Sequence, residues 1–213
     1  MSLTGVLSRA ALGVAICVSL AGCISVFPKT PPSQLYRFGS FEPAAASAAS
    51  PGPGPNVARG DLVFDSSAST DRILAMTGQD AAFISGARWV SPAPIVFEEA
   101  LVRGFQATPG APRLVERGSL LRAPLTLNLD VQAFEARYDQ GADKPPLIVV
   151  QVHAVMVRSS DRSVAGEGTF IESTRAEDNR VSLIAQAFDT VTKSLIVKLV
   201  TWSGGLAAGA GGS

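Results

Sequence analysis

The sequence predicts an α+β domain, in which a mainly antiparallel β-sheet is covered by two helices. Three observations predict this class. Leu125 to Val131 alternates apolar and polar residues, which is the period of a half-buried strand. The apolar segments 147–157 and 164–171 follow it after short polar loops, so the three together read as an antiparallel meander. Near the C-terminus, apolar residues recur every three or four positions, which indicates a long amphipathic helix that packs on the sheet.

The chain begins with the pattern of a lipoprotein signal sequence. Arg9 supplies positive charge, and positions 10–20 supply about ten apolar residues, the length of a signal-peptide core and too short for a bilayer of ~30 Å. The run ends in Leu20-Ala21-Gly22-Cys23, which resembles the lipobox of bacterial lipoproteins. We therefore expect residues 1–22 to be a removed signal peptide and Cys23 to carry the lipid. A buried core helix is the alternative, but the proline-rich segment that follows argues against it.

The segment after the lipidation site predicts a tether. Residues 23–33 contain three prolines, and ten extended residues at ~3.3 Å each would reach roughly 30 Å from the acyl anchor. Ile24 occupies the position where Asp directs retention at the inner membrane in the enterobacterial sorting rule. We therefore expect the protein at the outer membrane, facing the periplasm, with the inner membrane as the alternative.

Composition narrows the class of protein further. The chain has 46% hydrophobic residues, as expected of a globular domain, and its 18 Lys and Arg balance 18 Asp and Glu. This balance argues against a nucleic-acid-binding protein, which would need a basic face. Cys17 lies inside the predicted signal peptide, so with Cys23 acylated the mature chain would have no free thiol and no disulfide.

The first half of the predicted domain, 34–203, contains short strands and one insertion. Gln34 to Phe38 predicts a first strand. A Pro/Ala/Ser/Gly tract at about 42–57 lacks periodicity and predicts a disordered insertion, because it cannot bury enough apolar surface to offset its ordering entropy. Asp61 to Asp65 predicts a second strand. Arg72 to Thr77 and Ala81 to Ser85 predict a hairpin across a glycine-containing loop.

The two helices have separate start signals. Ser91-Pro92 predicts a helix with Ser91 as N-cap and Pro92 at the first helical position, ended by Gly110 and Pro112. Its apolar stripe consists of Phe97, Leu101 and Phe105. Before the last helix, Thr174 to Glu177 has the form of a capping box. That helix has an apolar stripe of Val181, Ile184, Phe188, Val191, Leu195, Leu199 and Trp202.

Two details complete the predicted domain. The apolar phase shifts between Val131 and Phe134, which predicts a β-bulge near Gln132-Ala133. Residues 204–213 are glycine-rich and predict a disordered tail. Insertion of the last helix into a membrane is the alternative to packing on the sheet.

No catalytic or metal-binding motif is present. The sequence lacks a Gly-x-Ser-x-Gly elbow, a Walker-type loop, a dinucleotide fingerprint and any Cys or His pair at metal spacing. His153 is the single histidine and lies in mid-strand, so we expect a structural role rather than a catalytic or metal-binding one. Adjacent carboxylates on a helix point apart, so Glu98, Glu99 and Glu135 are expected on solvated surfaces. We expect no enzyme activity and no cofactor.

An ordered set of short motifs resembles a known family. Thr70-Asp71-Arg72-Ile73 is followed by Ala87-Arg88-Trp89-Val90 and by prolines that open a helix. Together with the first strand, the strand from Leu125 to Glu135 and the final helix, they resemble the ABC-type transport auxiliary lipoprotein components, in the family's order. The resemblance spans about Leu35 to Trp202, and the Pro/Ala insertion departs from the family without touching a motif.

The resemblance implies a periplasmic domain with an antiparallel sheet and two helices. It implies partnership with an MCE-domain protein, an ABC permease and an ATPase that together move lipid across the envelope. The family has no accepted catalytic residues, so none is carried over, and contact between this domain and lipid is left open. Two alternatives are a lipoprotein that assists assembly of an outer-membrane complex without a transporter, and a structural envelope lipoprotein.

Arg88 and Trp89 are the candidate interface residues. They lie in the segment with the strongest resemblance, and Trp and Arg are enriched at binding hot spots because each combines contact area with directed donors. The alternatives are that Trp89 packs beneath the helix and that Arg88 pairs with a nearby carboxylate.

Overall fold

A computed structural model of the chain describes residues 33–41 and 54–210. The predicted signal peptide, Cys23, the tether as far as residue 32, most of the predicted insertion and residues 211–213 lie outside the described residues.

Eight strands of the described residues form one sheet, and two helices accompany it. The strands are β1 (Gln34–Tyr36), β2 (Asn56–Phe64), β3 (Arg72–Thr77), β4 (Asp80–Trp89), β5 (Arg113–Val115), β6 (Leu125–Arg137), β7 (Leu147–Arg158) and β8 (Val164–Arg175). The helices are α1 (Ala93–Ala107) and α2 (Val181–Ala210). The α+β class is as predicted.

Strand β6 organises the sheet. One edge pairs antiparallel with β7, from Leu125 opposite Arg158 to Arg137 opposite Leu147, and β7 pairs antiparallel with β8. The predicted meander is therefore confirmed. The register of β6 shifts between Val131 and Ala133, which confirms the predicted bulge. The bulge returns Phe134 to the face on which Leu125 and Val131 are buried.

The expectation of a mainly antiparallel sheet is wrong, because the sheet is mixed. The pairs β1–β4, β2–β5, β2–β6 and β3–β6 are parallel, while β3–β4, β6–β7 and β7–β8 are antiparallel. A parallel pair needs a crossover connection, and the β3–β4 hairpin with α1 supplies one between β2 and the later strands β5 and β6. The alternation of apolar residues indicates which side of a strand is buried. It does not indicate whether the neighbouring strand is parallel or antiparallel.

The predicted hairpin is present, with a longer second strand. Thr77 pairs with Asp80 across Gly78, whose positive φ of 61° suits a glycine in a tight turn. Strand β4 continues past Ser85 to Trp89, where it pairs with β1.

Strand β2 begins inside the tract at about 42–57 that the sequence predicts to be a disordered insertion. Asn56 and Val57 belong to β2, and Val57 is fully buried. The Gly54 N–H also donates to the Ala111 carbonyl at 2.9 Å. Pairing with β5 and β6 gives this short segment the partners that its own composition does not indicate.

Both predicted helix starts are corrected. Helix α1 begins at Ala93 with Pro92 at the cap position, and no side chain caps it, so Ser91 is not the N-cap. Thr174 and Arg175, assigned to a capping box, instead end β8 opposite Ile148 and Leu147. Their backbone groups are committed to the sheet ladder there.

Helix α2 is longer at its C-terminal end than the sequence predicts. Residues 204–210, expected in a disordered tail, continue the helix. Ala207 is fully buried, and Leu206 packs close to Gly166 of β8, where the absence of a side chain leaves room. Tertiary packing therefore outweighs the low helix propensity of the glycines.

Both helices lie on one face of the sheet. The ring of Phe134 in β6 contacts Phe188 of α2, at 4.9 Å between centroids, and Phe97 of α1, at 6.4 Å. The predicted stripe of α2 is confirmed, since its five central members are buried and Val181 and Trp202 are partly buried: Ile184, Phe188, Val191, Leu195 and Leu199. No described helix is both long and apolar enough to cross a membrane.

The opposite face of β6, β7 and β8 carries the alternate side chains and is covered by no described helix. Asp130 lies opposite His153 in the register, and His153 lies opposite Thr169. The Gln151 side-chain amide donates to Gln132 on the same face at 2.7 Å. This face is polar at its centre.

Candidate interface at the β1–β4 edge

Arg88 pairs with Asp71, which is the second residue of the Thr70 to Ile73 motif. Its Nη1 donates to both carboxylate oxygens, at 2.9 Å to Oδ1 and 2.8 Å to Oδ2. The side chains are 45% and 38% exposed. A pair so open to water contributes little to stability. Among the described residues only Nη1 of the Arg88 side chain makes hydrogen bonds, so the half-exposed guanidinium retains donors for other ligands. The pairing predicted as an alternative for Arg88 is present.

The two motifs that carry the family resemblance form one structural unit. The Trp89 N–H donates to the Asp71 carbonyl at 2.7 Å, and the Ala93 N–H donates to the Thr70 carbonyl at 3.0 Å. The segment at Thr70 and Asp71 thus fixes both the end of β4 and the start of α1. The spacing of the motifs in the sequence is explained by this contact.

Arg72 and Arg88 lie opposite each other in the β3–β4 register, a position where like charges repel. Each has a different partner. The Arg72 guanidinium lies 4.0 Å from the centroid of the Phe83 ring, a cation–π contact, whereas Arg88 is held by Asp71.

Trp89 belongs to the core. It is 2% exposed, and its ring meets Phe38 at 4.8 Å and Phe188 at 5.2 Å in edge-to-face contacts. A core role is therefore observed, but the helical ring that Trp89 meets is Phe188 of α2, whereas the alternative named the helix that follows Ser91-Pro92. A side chain this buried offers almost no surface to a partner, so Trp89 is withdrawn as an interface residue. Arg88, the preceding residue of β4, lies on the opposite face of the sheet because successive side chains of a strand alternate between faces.

Two exposed apolar residues lie next to Arg88, one on the neighbouring strand and one further along the chain. Leu35 of β1 is 63% exposed and lies opposite Arg88 in the parallel register, so both side chains are on one face. Val90, which follows β4, is 37% exposed. We call Leu35, Asp71, Arg88 and Val90 the β1 edge patch. Because β1 pairs with a single strand of the described residues, its outer backbone groups can accept an added strand.

The other candidate residues have structural surroundings. His153 is half-buried on the uncovered face, with Nδ1 3.4 Å from Thr169 Oγ1. Glu98 pairs with Arg59 at 2.8 Å, and Glu99 pairs with Arg37 at 2.9 Å. Glu135 pairs with Arg137. These carboxylates form partly solvated ion pairs, and none is close to the histidine in the sheet.

A shallow groove lies at the far end of β6. It encloses about 460 Å³ and is lined by Met76, Gly78, Glu135, Arg137, Tyr138 and Asp139. Burial raises the pKa of the Tyr138 hydroxyl, which donates to Asn179 Oδ1 at 2.9 Å. The hydrogen bond from Arg175 lowers the pKa of Asp139. The raised pKa keeps the Tyr138 hydroxyl protonated at neutral pH, and the lowered pKa makes Asp139 a weaker base. The described residues contain no cluster of three potential metal ligands.

Burial of Trp89 was one of two alternatives predicted from the sequence, and the exposure of Leu35 was not predicted. The signal was present in the alternation of the strand: Ala87 and Trp89 share one face and Arg88 the other. Leu35 carries no such signal, because a three-residue strand is too short for a pattern.

Comparison with known proteins identifies the fold alone. No family model matches the chain, and no curated protein matches its sequence. Among solved structures, protein XCC0632 from Xanthomonas campestris, assigned to DUF330, is similar with a TM-score of 0.70 and 20% identity, over 84% of this chain and 100% of that one. An uncharacterized protein has a TM-score of 0.60 and 11% identity, over 80% and 98% of the two chains. The hypothetical protein CT253 from Chlamydia trachomatis has a TM-score of 0.53 and 10% identity, over 73% and 99%. The chain therefore shares its fold with DUF330 protein XCC0632 over that protein's whole length.

Proposed function

We propose that the chain is a lipid-anchored, non-catalytic auxiliary component of an ABC-type lipid transport system of the cell envelope. Cys23 carries the acyl anchor, and the domain faces the periplasm, at the outer membrane. Its partners are an MCE-domain protein, a permease and an ATPase. The domain acts as a tethered adaptor, which raises the local concentration of its partner at the membrane.

One observation carries this proposal beyond the lipobox. The residues on which the family resemblance rests, Asp71 and Arg88-Trp89, lie in contact through an ion pair and a backbone hydrogen bond. They also border exposed Leu35 and Val90. A half-exposed arginine beside apolar side chains has the composition of an interface hot spot. The patch follows directly after the predicted tether, so the partner would meet the domain near its anchored end.

The role of the β1 edge patch in partner binding can be tested by replacing Arg88. We expect Arg88→Ala to leave thermal stability nearly unchanged, because an exposed ion pair contributes at most about 1 kcal/mol. The same change should weaken co-purification with an MCE-domain protein from a mild detergent extract. Arg137→Ala is the matched control, since Arg137 is 46% exposed and also pairs with a carboxylate. Equal recovery of partner with both variants would exclude Arg88 from the interface.

A further inference from the structure

The arginines without an acidic partner are concentrated at one end of the sheet. Within residues 33–41 and 54–210, every lysine and most arginines have a carboxylate oxygen within 4 Å. Five arginines do not, and one of these, Arg72, lies on the Phe83 ring. The other four are Arg113, Arg122, Arg158 and Arg162, and all are exposed.

The strand register shows that these four arginines share one end. Arg113 lies opposite Asn56 at the start of β2, and the Asn56 side chain donates to the Arg122 carbonyl at 3.0 Å. Arg158 lies opposite Leu125 at the start of β6, and Arg162 is in the turn between β7 and β8. We call this group the basic end. Asp161 is the carboxylate of the same turn. It accepts hydrogen bonds from the Ser163 N–H and hydroxyl, and the nearby charge of Arg158 also helps to lower its pKa. The Arg158 guanidinium itself donates to the Ser163 hydroxyl and the Val164 carbonyl.

Two adjacent leucines project from the same region. Leu120 is fully exposed and Leu121 is 45% exposed, in the connection between β5 and β6. Arg117 and Arg122 bracket them in the sequence. The connection is fixed to the basic end at its later part, where the Ser159 hydroxyl donates to the Ala123 carbonyl at 2.9 Å.

We propose that the basic end is a contact surface for an anionic lipid bilayer, separate from the acyl anchor at Cys23. Leu120 and Leu121 enter the boundary between headgroups and acyl chains, where exposed apolar side chains gain burial. The arginines bind lipid phosphates, for which the guanidinium has matching geometry and weak hydration. An anionic bilayer accounts for both the arginines and the exposed leucines. Its phosphates supply negative charge to the arginines, and the acyl layer beneath them buries the leucine side chains.

The test places a fluorescent reporter at the tip of the loop. Full-length chains carrying Leu120→Trp or Val197→Trp are incorporated into vesicles of phosphatidylcholine, with or without phosphatidylglycerol, whose acyl chains carry bromine as a quencher. Val197, 48% exposed on α2, is the matched control. Emission of wild type, from Trp89 and Trp202, is subtracted from both.

We expect blue-shifted, quenched emission from Leu120→Trp in the anionic vesicles, and unshifted emission from Val197→Trp. Adding Arg122→Gln or Arg162→Gln should lower the inserted fraction relative to the non-inserted one about fivefold for each arginine. High salt should act in the same direction. Equal quenching at both positions, or quenching that is independent of anionic lipid, would overturn the proposal. Neither result bears on the transport partners, because the readout needs no partner protein.

Discussion

Phe188 connects the long helix to the sheet at the level of single residues. Its side chain is fully buried, and its ring meets Trp89 at 5.2 Å and Phe134 at 4.9 Å. We expect Phe188→Ala to cost about 3–5 kcal/mol of unfolding free energy, because the cavity cannot collapse among rigid rings. Chemical denaturation measures the loss. Exposed Gln186 is the control, and Gln186→Ala should stay within about 0.5 kcal/mol. Small, equal effects would show that the stripe does not face a core.

The spacing of apolar residues predicts which side chains are buried, but not which residues they pair with. It predicted the buried stripe from Ile184 to Leu199 and the bulge before Phe134, and the structure confirms both. Arg88 pairs with Asp71, 17 positions away in sequence. The identity of that partner depends on how β4 pairs with β3, which a single sequence does not reveal. The same holds for the contact between Arg72 and Phe83.

At the scale of the helices, two glycines differ in their surroundings: Gly104 of α1 is closely packed, and Gly205 of α2 faces open space. A Cβ on Gly104 of α1 would lie 2.3 Å from Ile196 Cγ2 of α2, whereas a Cβ on Gly205 would meet nothing within 4 Å. Gly205→Ala should therefore stabilise the fold by about 0.5–1 kcal/mol through helix propensity. Gly104→Ala should destabilise it by about 1–3 kcal/mol through overpacking, offset in part by the same gain. Unfolding free energies of both variants test this. No effect of Gly205→Ala would contradict a helix that extends to Ala210.

Asp189 fastens the segment after β1 to α2. Its Oδ1 accepts hydrogen bonds from the Ser40 N–H and hydroxyl, each at 3.0 Å, and Lys193 donates to Oδ2 at 2.9 Å. Burial acts to raise the pKa of this carboxyl, but the hydrogen bonds from Ser40 and Lys193 outweigh it and hold the pKa below its ordinary value.

The direction of the pH effect follows from the lowered pKa. The carboxylate contributes stability that is present above the unfolded-state pKa and is lost as pH falls through the lower, folded-state value. Asp189→Asn should thus be less stable than wild type at neutral pH, and the difference should shrink below about pH 4. Urea unfolding across pH 2.5–7, in steps of about half a unit, measures it. A difference that is constant across this range would show that Asp189 does not bind as a carboxylate.

The helix starts show why local signals fail. Ser91 and Thr174 both have favourable cap chemistry, yet α1 starts at Ala93 and α2 at Val181. Thr174 is taken by the β7–β8 ladder, and Ala93 is fixed by its hydrogen bond to Thr70. In both places long-range backbone pairing outweighs a cap contribution of about 1 kcal/mol.

At the scale of the whole fold, the described residues form a mixed sheet with two helices on one face. The parallel strand pairs could not have been predicted from the sequence. Antiparallel neighbours β6, β7 and β8 follow each other along the chain, so their order was predictable. β2 meets β6 only after a hairpin and α1 have intervened, and no pattern within β2 names its partner. The β1 edge patch depends on the same kind of pairing, between β1 and β4.

Anchoring of the whole chain should depend on the Cys23 thiol. We expect Cys23→Ser to lose the acyl label, because a serine oxygen does not replace the thiolate in the lipid transfer. Growth with labelled palmitate, followed by membrane fractionation, would show an unlabelled protein that is either soluble or retains its signal sequence. Cys17→Ser is the control and should be labelled normally. Normal labelling of Cys23→Ser would refute the lipobox.

Affinity purification of the acylated wild-type chain from a mild detergent extract tests partnership most directly. Mass spectrometry of the purified fraction should identify an MCE-domain protein together with an ABC permease or ATPase, all depleted when Cys23→Ser is purified in the same way. Recovery of an outer-membrane assembly complex, with no MCE protein, permease or ATPase, would contradict the transport assignment and support the assembly alternative in its place.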